Sequence, residues 1–561
     1  MPRPADIIIK NAHIITVDAQ FRIADAIAIG GDTILAVGSL PQAEQHRSPD
    51  TRVIDLGGRT VMPGLIDCHA HMDREGLRSV YPSLGRVRSI RDIQDRIADL
   101  ARNTRPGEWI VTMPIGDPPY YYDMPELLAG QRWPTRQELD AAAPDNPVFI
   151  RSIWGFWRHT TPLVACANTL ALERAGITRD TVAPSKVLDI GRDANGDPNG
   201  VFYEHELQPL AELSWFRQIP GFTRADRAST LPAAAAAYHA FGTTGIFEEH
   251  GAAGELIRAY KDVHAAGRLT MRTTLAVSPN WKTAGNAPIE PFIEAWGSWL
   301  AEPALGDDFL KLSGLFVDVG PSEANTLLGQ ASPYTGWAGF NYDTGQSRER
   351  VKEILLACAR YEIRAIAIWP NMLDLFEEVD REIPLAGRRW VLGHIGVVTP
   401  RDVERIARMG LVVSTHTNRY VYKDGHTIQG RLPPERHGDI TPVRDMLDAG
   451  IKVSLATDNV PVSLFWPIWQ TVSRMNRFIE APIVPEQAIT REEALRCATS
   501  HGAYMTFDET KKGSLESGKL ADLAVLSADP LSVAEPEIRD IRSTMTMVGG
   551  KIVHEEAGWD G

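Results

Sequence analysis

The chain has 561 residues, of which 43% are hydrophobic and 23% charged, as in a globular protein large enough for more than one domain. Its formal net charge of -14 disfavours nucleic-acid partners and binding to an anionic membrane surface. Four scattered cysteines, an N-terminus without a signal-peptide core and the lack of a long apolar run predict reduced thiols and a cytoplasmic protein with no membrane partner.

The N-terminal segment has the pattern of short β-strands separated by glycine-rich turns. Alternating or β-branched runs occupy residues 7–10, 13–17, 26–29, 33–37 and 52–55. The C-terminal segment has the same character, with strand-like runs at 522–526, 543–548 and 551–554. Because chain termini often meet at a domain surface, we predict one small β-sandwich domain built from residues 1–62 and 513–561.

An apolar run at residues 60–66 leads directly into Asp67-Cys68-His69-Ala70-His71. Residues two apart on a strand point to the same side, so we expect Asp67, His69 and His71 to face one way. Neutral imidazole is a common ligand of zinc and similar divalent metals. His69 and His71 are therefore predicted metal ligands.

Between the two β-rich ends, strand-like and helix-like segments alternate in the manner of βα units. The predicted strands are residues 61–66, 245–248, 271–277, 309–316, 365–368, 390–393, 412–414 and 452–456. The predicted helices include residues 90–102, 231–241, 255–266, 348–359, 400–409, 443–449 and 491–499. This alternation predicts an α/β fold, a (β/α)8 TIM-like barrel within residues 63–512.

The stretch from about residue 75 to 230 is too long for a single strand-to-helix connection. It contains loop-rich segments at residues 117–122 and 193–200. We therefore predict an inserted subdomain near the barrel mouth.

Aromatic clusters at residues 120–122, 154–157 and 465–466 have two interpretations, an apolar substrate pocket or ordinary core packing. Arg158, His159, Arg419 and Tyr420 are candidates for holding a substrate carboxylate or carbonyl. The sequence alone does not decide between these interpretations.

In a barrel of this kind, reactive groups lie at the carboxyl ends of the strands. Besides the two histidines at residues 69 and 71, the predicted strands supply Lys311, His394 and Asp458. Two or three histidines with a carboxylate and one open position suit a catalytic Zn²⁺-type ion, which lowers the pKa of a bound water. Asp458 is the candidate that accepts a proton from that water.

Each of these residues also has a purely structural interpretation. Asp458 can cap a helix, His394 can be a hydrogen-bonded core histidine, and Lys311 can extend its ammonium group to the rim of an apolar strand. His250 and His416 also follow predicted strands and are further candidates for the mouth, as is Glu249 with less support.

The order of these motifs along the chain resembles that of a known protein superfamily. The run at residues 63–71, then Lys311, Gly393-His394-Ile395 and Ala-Thr-Asp-Asn at 456–459, framed by β-rich ends, resembles the amidohydrolase superfamily. The segment 513–531 resembles that superfamily's return into its small β domain. More closely, the chain resembles the amidohydrolase-3 group, which includes YtcJ-like proteins and N-substituted formamide deformylases.

The resemblance implies roles for individual residues. It implies that His69 and His71 bind the metal and that Asp458 is both a ligand and the general base. It places Lys311 where the family often has a metal-bridging lysine carboxylated by CO₂. It places His394 where either a second metal ligand or a substrate-orienting histidine falls.

One position departs from the family pattern. The strand before residue 394 usually carries a histidine, but residues 366–371 are Ile-Ala-Ile-Trp-Pro-Asn. We therefore expect one divalent ion, with zinc favoured, rather than two. A second ion would require His250 or His416 to replace the missing histidine.

The expected function is hydrolysis of a non-peptide C–N bond, of amide type, in a small and partly aromatic molecule, with Asp458 and His394 as the catalytic side chains. Two alternatives stay open. One is a deaminase or cyclic-amide hydrolase on the same scaffold, and the other is a barrel that has lost catalysis and only binds a ligand. The sequence leaves homo-oligomer formation undecided.

Overall fold

Eight parallel strands in a nearly closed barrel form the centre of the molecule. A computed structural model describes residues 3–116, 124–153, 161–206, 208–285, 287–302, 305–320, 323–331, 334–342 and 344–557. The barrel strands are β1 (Leu65–Asp67), β2 (Thr243–Ala252), β3 (Arg272–Val277), β4 (Leu310–Phe316), β5 (Ala365–Ala367), β6 (Val391–Leu392), β7 (Val412–Thr415) and β8 (Val453–Leu455). Neighbouring strands pair in parallel, and Cys68 N donates to Leu455 O at 3.2 Å where β1 meets β8. The predicted (β/α)8 barrel is confirmed.

Helices connect successive barrel strands. The helices that lie between consecutive barrel strands, from β1 to β8, are Met72–Leu77, Arg224–His239, Gly254–Ala265, Glu290–Leu300, Glu323–Leu328, Arg348–Arg360, Leu373–Glu382, Pro400–Met409, Gly425–Arg431 and Val443–Asp448. After β8 come Phe465–Ser473, Arg491–Ala498 and Ser500–Met505. A π-helical turn spans Asn418–Lys423, and 3-10 turns span Trp281–Thr283, Gly329–Ala331, Pro370–Met372, Pro434–Asp439, Pro485–Gln487 and Glu535–Asp540.

The helix Pro400–Met409 shows how local sequence sets these elements. Thr399 and Asp402 form a capping box at its start, and a proline at the first helical position needs no hydrogen-bonded N–H. Gly410 ends the helix in the left-handed conformation with φ 63°. The buried side chains of this helix are spaced three apart and pack on the barrel, at Val403, Ile406 and Met409.

The predicted strand 61–66 is divided in the structure. Thr60–Pro63 belongs to the sheet of the terminal segments, and β1 of the barrel begins at Leu65. The break falls at Gly64, where a Cβ atom would lie 2.1 Å from Thr244 Oγ1. Only glycine allows this close approach, so the chain passes there from one sheet to the other.

Both ends of the chain build two sheets that pack face to face. The first sheet has the strand order Thr33–Gly38, Ala26–Gly30, Ile7–Lys10 and Arg52–Asp55. The second has the order Lys551–Glu555, Ser543–Val548, Leu523–Leu526, Thr60–Pro63, His13–Ile15 and Ile23–Ala24. Ile27 of the first and Met545 of the second belong to one buried cluster, so the predicted β-sandwich from both termini is confirmed. The domain boundaries at residues 62 and 513 stay a prediction.

The predicted insertion contains a separate mixed sheet. Its strand order is Leu188–Arg192, Pro198–Glu204, Leu163–Ala167, Val148–Ile150 and Ile110–Thr112. Helices Ile90–Arg102, Arg136–Ala142, Thr169–Ala175 and Leu210–Ser214 accompany it. The remaining short elements are the helix Leu40–Glu44 and the strands Leu305–Gly306, Asp318–Val319 and Gly345–Gln346. Among the described residues, no helix combines the length and apolar character needed to cross a bilayer.

Candidate active site

Three histidines and one aspartate meet at the carboxyl ends of the barrel strands. His69 Nε2 lies 3.3 Å from His394 Nε2, and His71 Nε2 lies 3.1 Å from Asp458 Oδ1. Asp458 Oδ1 is also 3.8 Å from His69 Nε2. All four residues are buried. The structure therefore brings together four of the five predicted metal-site residues.

These side chains come from loops that directly follow the strands. His69 and His71 lie just beyond β1, which ends at Asp67, so the histidines are not on the strand itself as the sequence predicted. His394 follows β6 and Asp458 follows β8. Both have a φ of 49°, a left-handed conformation that is costly for non-glycine residues and that clusters at functional sites.

A hydrogen-bond network joins the ends of β1 and β8. Asp67 Oδ1 accepts from the backbone N–H groups of His69 at 3.2 Å and Thr457 at 3.1 Å. Asn459 Oδ1 accepts from His71 N at 3.0 Å, and Asn459 Nδ2 donates to His71 O at 2.6 Å. The loops that carry His71 and Asp458 are thus held in register by buried polar groups.

Two adjacent carboxylates on β2 orient the two histidines of the first loop. Glu249 Oε2 lies 2.7 Å from His69 Nδ1, and Glu248 Oε2 lies 3.2 Å from His71 Nδ1. Tyr260 Oη also donates to Glu248 Oε1, at 2.7 Å. When Nδ1 donates to a carboxylate, Nε2 of the same ring stays free of a proton and can bind a metal. Glu249 was a minor candidate from the sequence, and Glu248 was not predicted.

His250 and His416, the two further candidates, also reach the cluster. His416 Nε2 lies 3.2 Å from Asp458 Oδ2, and the rings of His416 and His394 are 5.2 Å apart. The ring of His250 lies 6.1 Å from those of both His69 and His71 and stacks on Phe340 at 4.3 Å.

Lys311 lies elsewhere. It is the second residue of β4, and its Nζ donates to Thr506 O at 2.5 Å and pairs with Asp508 Oδ2 at 2.7 Å. Reactive groups of a barrel lie at the other end of the strands, so the structure does not bring Lys311 to the histidine cluster. The expectation of a carboxylated, metal-bridging Lys311 is corrected accordingly.

The end of β5, where the family histidine is missing, carries Trp369. Its ring meets the ring of His394 edge to face at 5.2 Å. An indole side chain offers a donor only and no metal-binding nitrogen. The side of the cluster next to β5 is therefore aromatic.

Neighbouring charges set the ionisation of the cluster. Burial alone would raise the pKa of Asp458, but the neighbouring imidazoles of His416 and His71 hold that pKa well below its usual range. Burial alone would lower the pKa of His69, but the Glu249 carboxylate raises it above its usual value. Burial is the main cause that lowers the pKa of His394 and His416. Asp458 is thus an anion surrounded by imidazoles.

The residues present fit a divalent ion. Two nitrogens bound tetrahedrally at the usual zinc distance of about 2.0–2.1 Å would be about 3.3 Å apart. His69 Nε2 and His394 Nε2 are 3.3 Å apart. Among the described residues, two groups of three side chains have ligand atoms close enough to share an ion. Both contain His69, one with His71 and His250 and the other with His394 and Asp458. His250 Nδ1 is buried without a hydrogen-bond partner in the described part of the chain.

The surroundings of the cluster are aromatic and basic. Tyr420 lies 6.1 Å from His416 and 6.4 Å from His394, measured between ring centroids. The Arg74 guanidinium lies 5.5 Å from the Phe340 ring centroid.

Phe465 packs in the main core with Trp466 against it, as the core-packing interpretation requires. Residues 120–122 and 154–157, together with Arg158 and His159, lie outside the described residues.

A sequence model of the amidohydrolase family matches residues 52–554. This chain belongs to the amidohydrolase family. The resemblance noted from the motifs is confirmed, and the chain is an amidohydrolase, an enzyme acting on carbon–nitrogen bonds other than peptide bonds.

Two relatives of this amidohydrolase match over nearly their whole length. The N-substituted formamide deformylase of Arthrobacter pascens is 28% identical over 576 residues, covering 100% of both chains. The protein YtcJ of Bacillus subtilis (strain 168) is 24% identical, covering 95% of this chain and 96% of that one.

Solved structures share the fold of this amidohydrolase. An uncharacterised metal-dependent hydrolase from Pyrococcus horikoshii OT3 superposes with a TM-score of 0.68 at 20% identity, covering 94% of this chain and 99% of that one. Atrazine chlorohydrolase TrzN from Arthrobacter aurescens TC1, complexed with zinc, gives a TM-score of 0.52 at 17% identity, covering 99% and 97%. At these identities, the likeness establishes the barrel architecture.

Proposed function

We propose that this amidohydrolase uses one divalent ion, zinc in the first instance, to hydrolyse an amide-type C–N bond of a small molecule. The observation that carries the proposal is the convergence of His69, His71, His394 and Asp458 at one place. His69 Nε2 and His394 Nε2 are 3.3 Å apart there. The relative named as an N-substituted formamide deformylase supports an N-formyl or similar amide as the substrate.

A single ion fits this donor set better than two. His69 Nδ1 is engaged by Glu249, so His69 has only Nε2 to offer, and both candidate ligand sets use this residue. Lys311 lies away from the cluster, and Trp369 stands at the end of β5. Both of the side chains that would bridge or hold a second ion in the family pattern are therefore lacking from the site. His69, His71, His394 and Asp458 would hold the ion, with His250 adjacent.

A bound divalent ion supplies Lewis acidity, which lowers the pKa of a water molecule and polarises a substrate carbonyl. Asp458, held as an anion by His71 and His416, accepts the proton of the attacking water. The same carboxyl group then passes this proton to the departing nitrogen. His394 lies at the same centre and would hold the ion beside the carbonyl oxygen on which negative charge develops.

The proposal is tested by metal analysis and product analysis on protein purified without chelators. We expect about one zinc-like ion per chain and release of formate and free amine from N-formylphenethylamine. The variant His69→Ala should lose both metal and turnover, whereas Lys311→Met, which changes a residue outside the cluster, should keep both.

Other outcomes separate the alternatives. Ammonia released from an amino-heterocycle would favour a deaminase, and a ring-opened acid that retains its nitrogen would favour a cyclic-amide hydrolase. A protein that takes up no metal and turns over no amide contradicts the proposed hydrolase.

A further inference from the structure

We infer that the substrate of this site carries a positively charged amino group, and that the carboxylate of Asp318 binds it. The inference rests on the proposed function, because it names a feature of the molecule that the metal centre hydrolyses. It is carried by the place that β4 gives this side chain and by the lack of a partner for it among the described residues.

Asp318 follows β4 at the mouth of the barrel. β4 ends at Phe316, and the chain stays extended beyond it, because Val317 N donates to Ile366 O of β5 at 2.9 Å. Asp318 and the residue after it then pair in parallel with Gly345–Gln346. Reactive groups of a barrel lie at this end of the strands. Asp318 is therefore at the end of the barrel that carries the histidine cluster.

The packing of its neighbours shows which way the Asp318 side chain points. Residues two apart on an extended chain share a face. Leu315, Val317 and Val319 pack in the core between the barrel and its helices. Phe316 packs on the opposite face, in a buried cluster inside the barrel to which each of β1 to β7 contributes. Asp318 therefore points inward, into the mouth beyond Phe316.

This inward face of β4 adjoins the histidine cluster. The Phe316 ring lies 4.9 Å from the His250 ring. The His250 ring is in turn 6.1 Å from the rings of both His69 and His71. A substrate held at the cluster can therefore extend past the Phe316 ring toward Asp318.

Strand register gives the spacing between Asp318 and the metal ligands on the other side of the mouth. β4 pairs with β5 at Phe316, and β5 pairs with β6 at Leu392. In this register Asp318 is level with the residue before His394. Neighbouring strands are about 4.8 Å apart, so the two backbones are about 10 Å apart across β5. A small molecule with its amide at the histidines and its cation at Asp318 spans this gap.

The Asp318 carboxylate has no counter-charge in the part of the chain that the structure describes. Glu248, Glu249 and Asp458, the other carboxylates at this end, contact imidazoles at 3.2, 2.7 and 3.1 Å. Burial raises the pKa of the Asp318 carboxyl group to about 6, opposed only by the backbone N–H of Val319. The group is partly exposed and is an anion at neutral pH, so a cation from solution can reach it and offset its desolvation.

An alkylammonium group fits this position. It forms charge-assisted hydrogen bonds with a carboxylate, and a cation beside an aromatic ring gains further attraction. Phe316 supplies such a ring on the same face as Asp318, and Phe340 adds a second where it stacks on His250 at 4.3 Å. The net charge of -14 also favours the approach of a cation.

The test uses matched pairs of molecules in which a terminal ammonium replaces a terminal methyl group. N-(5-aminopentyl)formamide with N-hexylformamide, and N-(3-aminopropyl)formamide with N-butylformamide, report on turnover by the metal-loaded protein. Hydroxamates chelate divalent ions, so 6-aminohexanohydroxamate and heptanohydroxamate report on binding by calorimetry. The variants are Asp318→Asn, Asp318→Glu as a conservative change, and Asp50→Asn, which removes the same charge from an exposed turn.

We expect wild-type protein to prefer the ammonium member of at least one formamide pair, measured as kcat/KM. Asp318→Asn should reduce that preference by about tenfold or more, through KM rather than kcat. The ratio of the two hydroxamate Kd values should fall by a similar factor. Asp318→Glu should retain most of the preference, and Asp50→Asn should match wild type. The comparison within wild-type protein decides even if Asp318→Asn does not fold.

The two proposals fail in different ways. Hydrolysis of the methyl-ended formamides without any preference for the ammonium forms, or equal preferences in Asp318→Asn and Asp50→Asn, would overturn the cation site and leave the hydrolase intact. A preference for 6-aminohexanohydroxamate that depends on Asp318, without hydrolysis of any formamide, would support the cation site and count against the proposed amide cleavage.

Discussion

The carboxylate of Glu249 holds the imidazole of His69: Oε2 and Nδ1 are 2.7 Å apart, and both side chains are buried. Ser414 Oγ donates to the same carboxylate oxygen at 2.6 Å. Gly393 leaves the necessary space, because a Cβ atom there would lie 2.7 Å from Glu249 Oε1. Residues from β2, β6 and β7 thus orient one nitrogen, His69 Nε2.

Replacing Glu249 by glutamine should weaken metal binding while preserving the fold. Loss of an outer-shell carboxylate of this kind typically costs about 10–100-fold in metal affinity. Competition with a chromogenic chelator measures the change, and the exposed Glu404→Gln variant is the matched control. Equal affinities in the two variants would mean that Glu249 does not orient a metal ligand.

Asp458→Asn should lower kcat strongly while the protein stays folded. The amide side chain cannot accept the water proton, and loss of a general base typically lowers kcat by about 10²–10⁴-fold. Circular dichroism and thermal unfolding check that the protein stays folded. Near-normal kcat in this variant would exclude the proposed proton transfer.

Lys311→Met should lower stability but leave metal content and kcat near wild type. The change breaks the pair with Asp508, although Lys512 Nζ remains 3.0 Å from that carboxylate, so a loss of about 1–3 kcal/mol is expected. Denaturant unfolding and metal analysis give the two readouts, with Lys511→Met as the exposed control. Loss of the metal would show that Lys311 acts at the metal centre after all.

Stability should fall as the pH rises, because of Glu204 in the inserted subdomain. Burial raises the pKa of this carboxyl group from 4.5 to about 8. Between these values the folded state retains a proton that the unfolded state has lost, so the free energy of unfolding decreases with increasing pH by up to about 1.4 kcal/mol per pH unit. Glu204→Gln should remove this slope in urea unfolding series, whereas exposed Glu108→Gln should not. An unchanged slope in Glu204→Gln would contradict the shifted pKa.

The alternation of apolar strands and amphipathic helices was sufficient to predict the barrel, and strand ends were sufficient to predict that His69, His71, His394 and Asp458 lie close together. Their roles as metal ligands and catalytic groups stay a prediction. These residues follow apolar strands in the chain, and a barrel gathers such positions at one end. The prediction that Lys311 lies at this end of the barrel was wrong, because Lys311 is at the start of β4 rather than at its end.

Other features depend on pairing between distant strands. Glu248 and Glu249 are adjacent on β2, yet each holds a different histidine, because the end of β2 is irregular, with a register shift between Glu248 and Ala252. The run Glu-Glu-His at residues 248–250, at the end of an apolar strand, is the sequence signal from which both glutamates could have been predicted as site residues. The division of the first strand at Gly64 depends on contact with Thr244, which local sequence does not show.

The division at Gly64 has a consequence for biosynthesis. Thr60–Pro63, directly before the strand that leads to His69 and His71, pairs with Leu523–Leu526, which follows far later in the chain. Asp522, next to this strand, also binds Arg272 of β3 at 2.6 Å. The first barrel strand is therefore expected to reach its final position only after Leu523–Leu526 has been synthesised, and a chain truncated before residue 523 should not hold His69 and His71 in place.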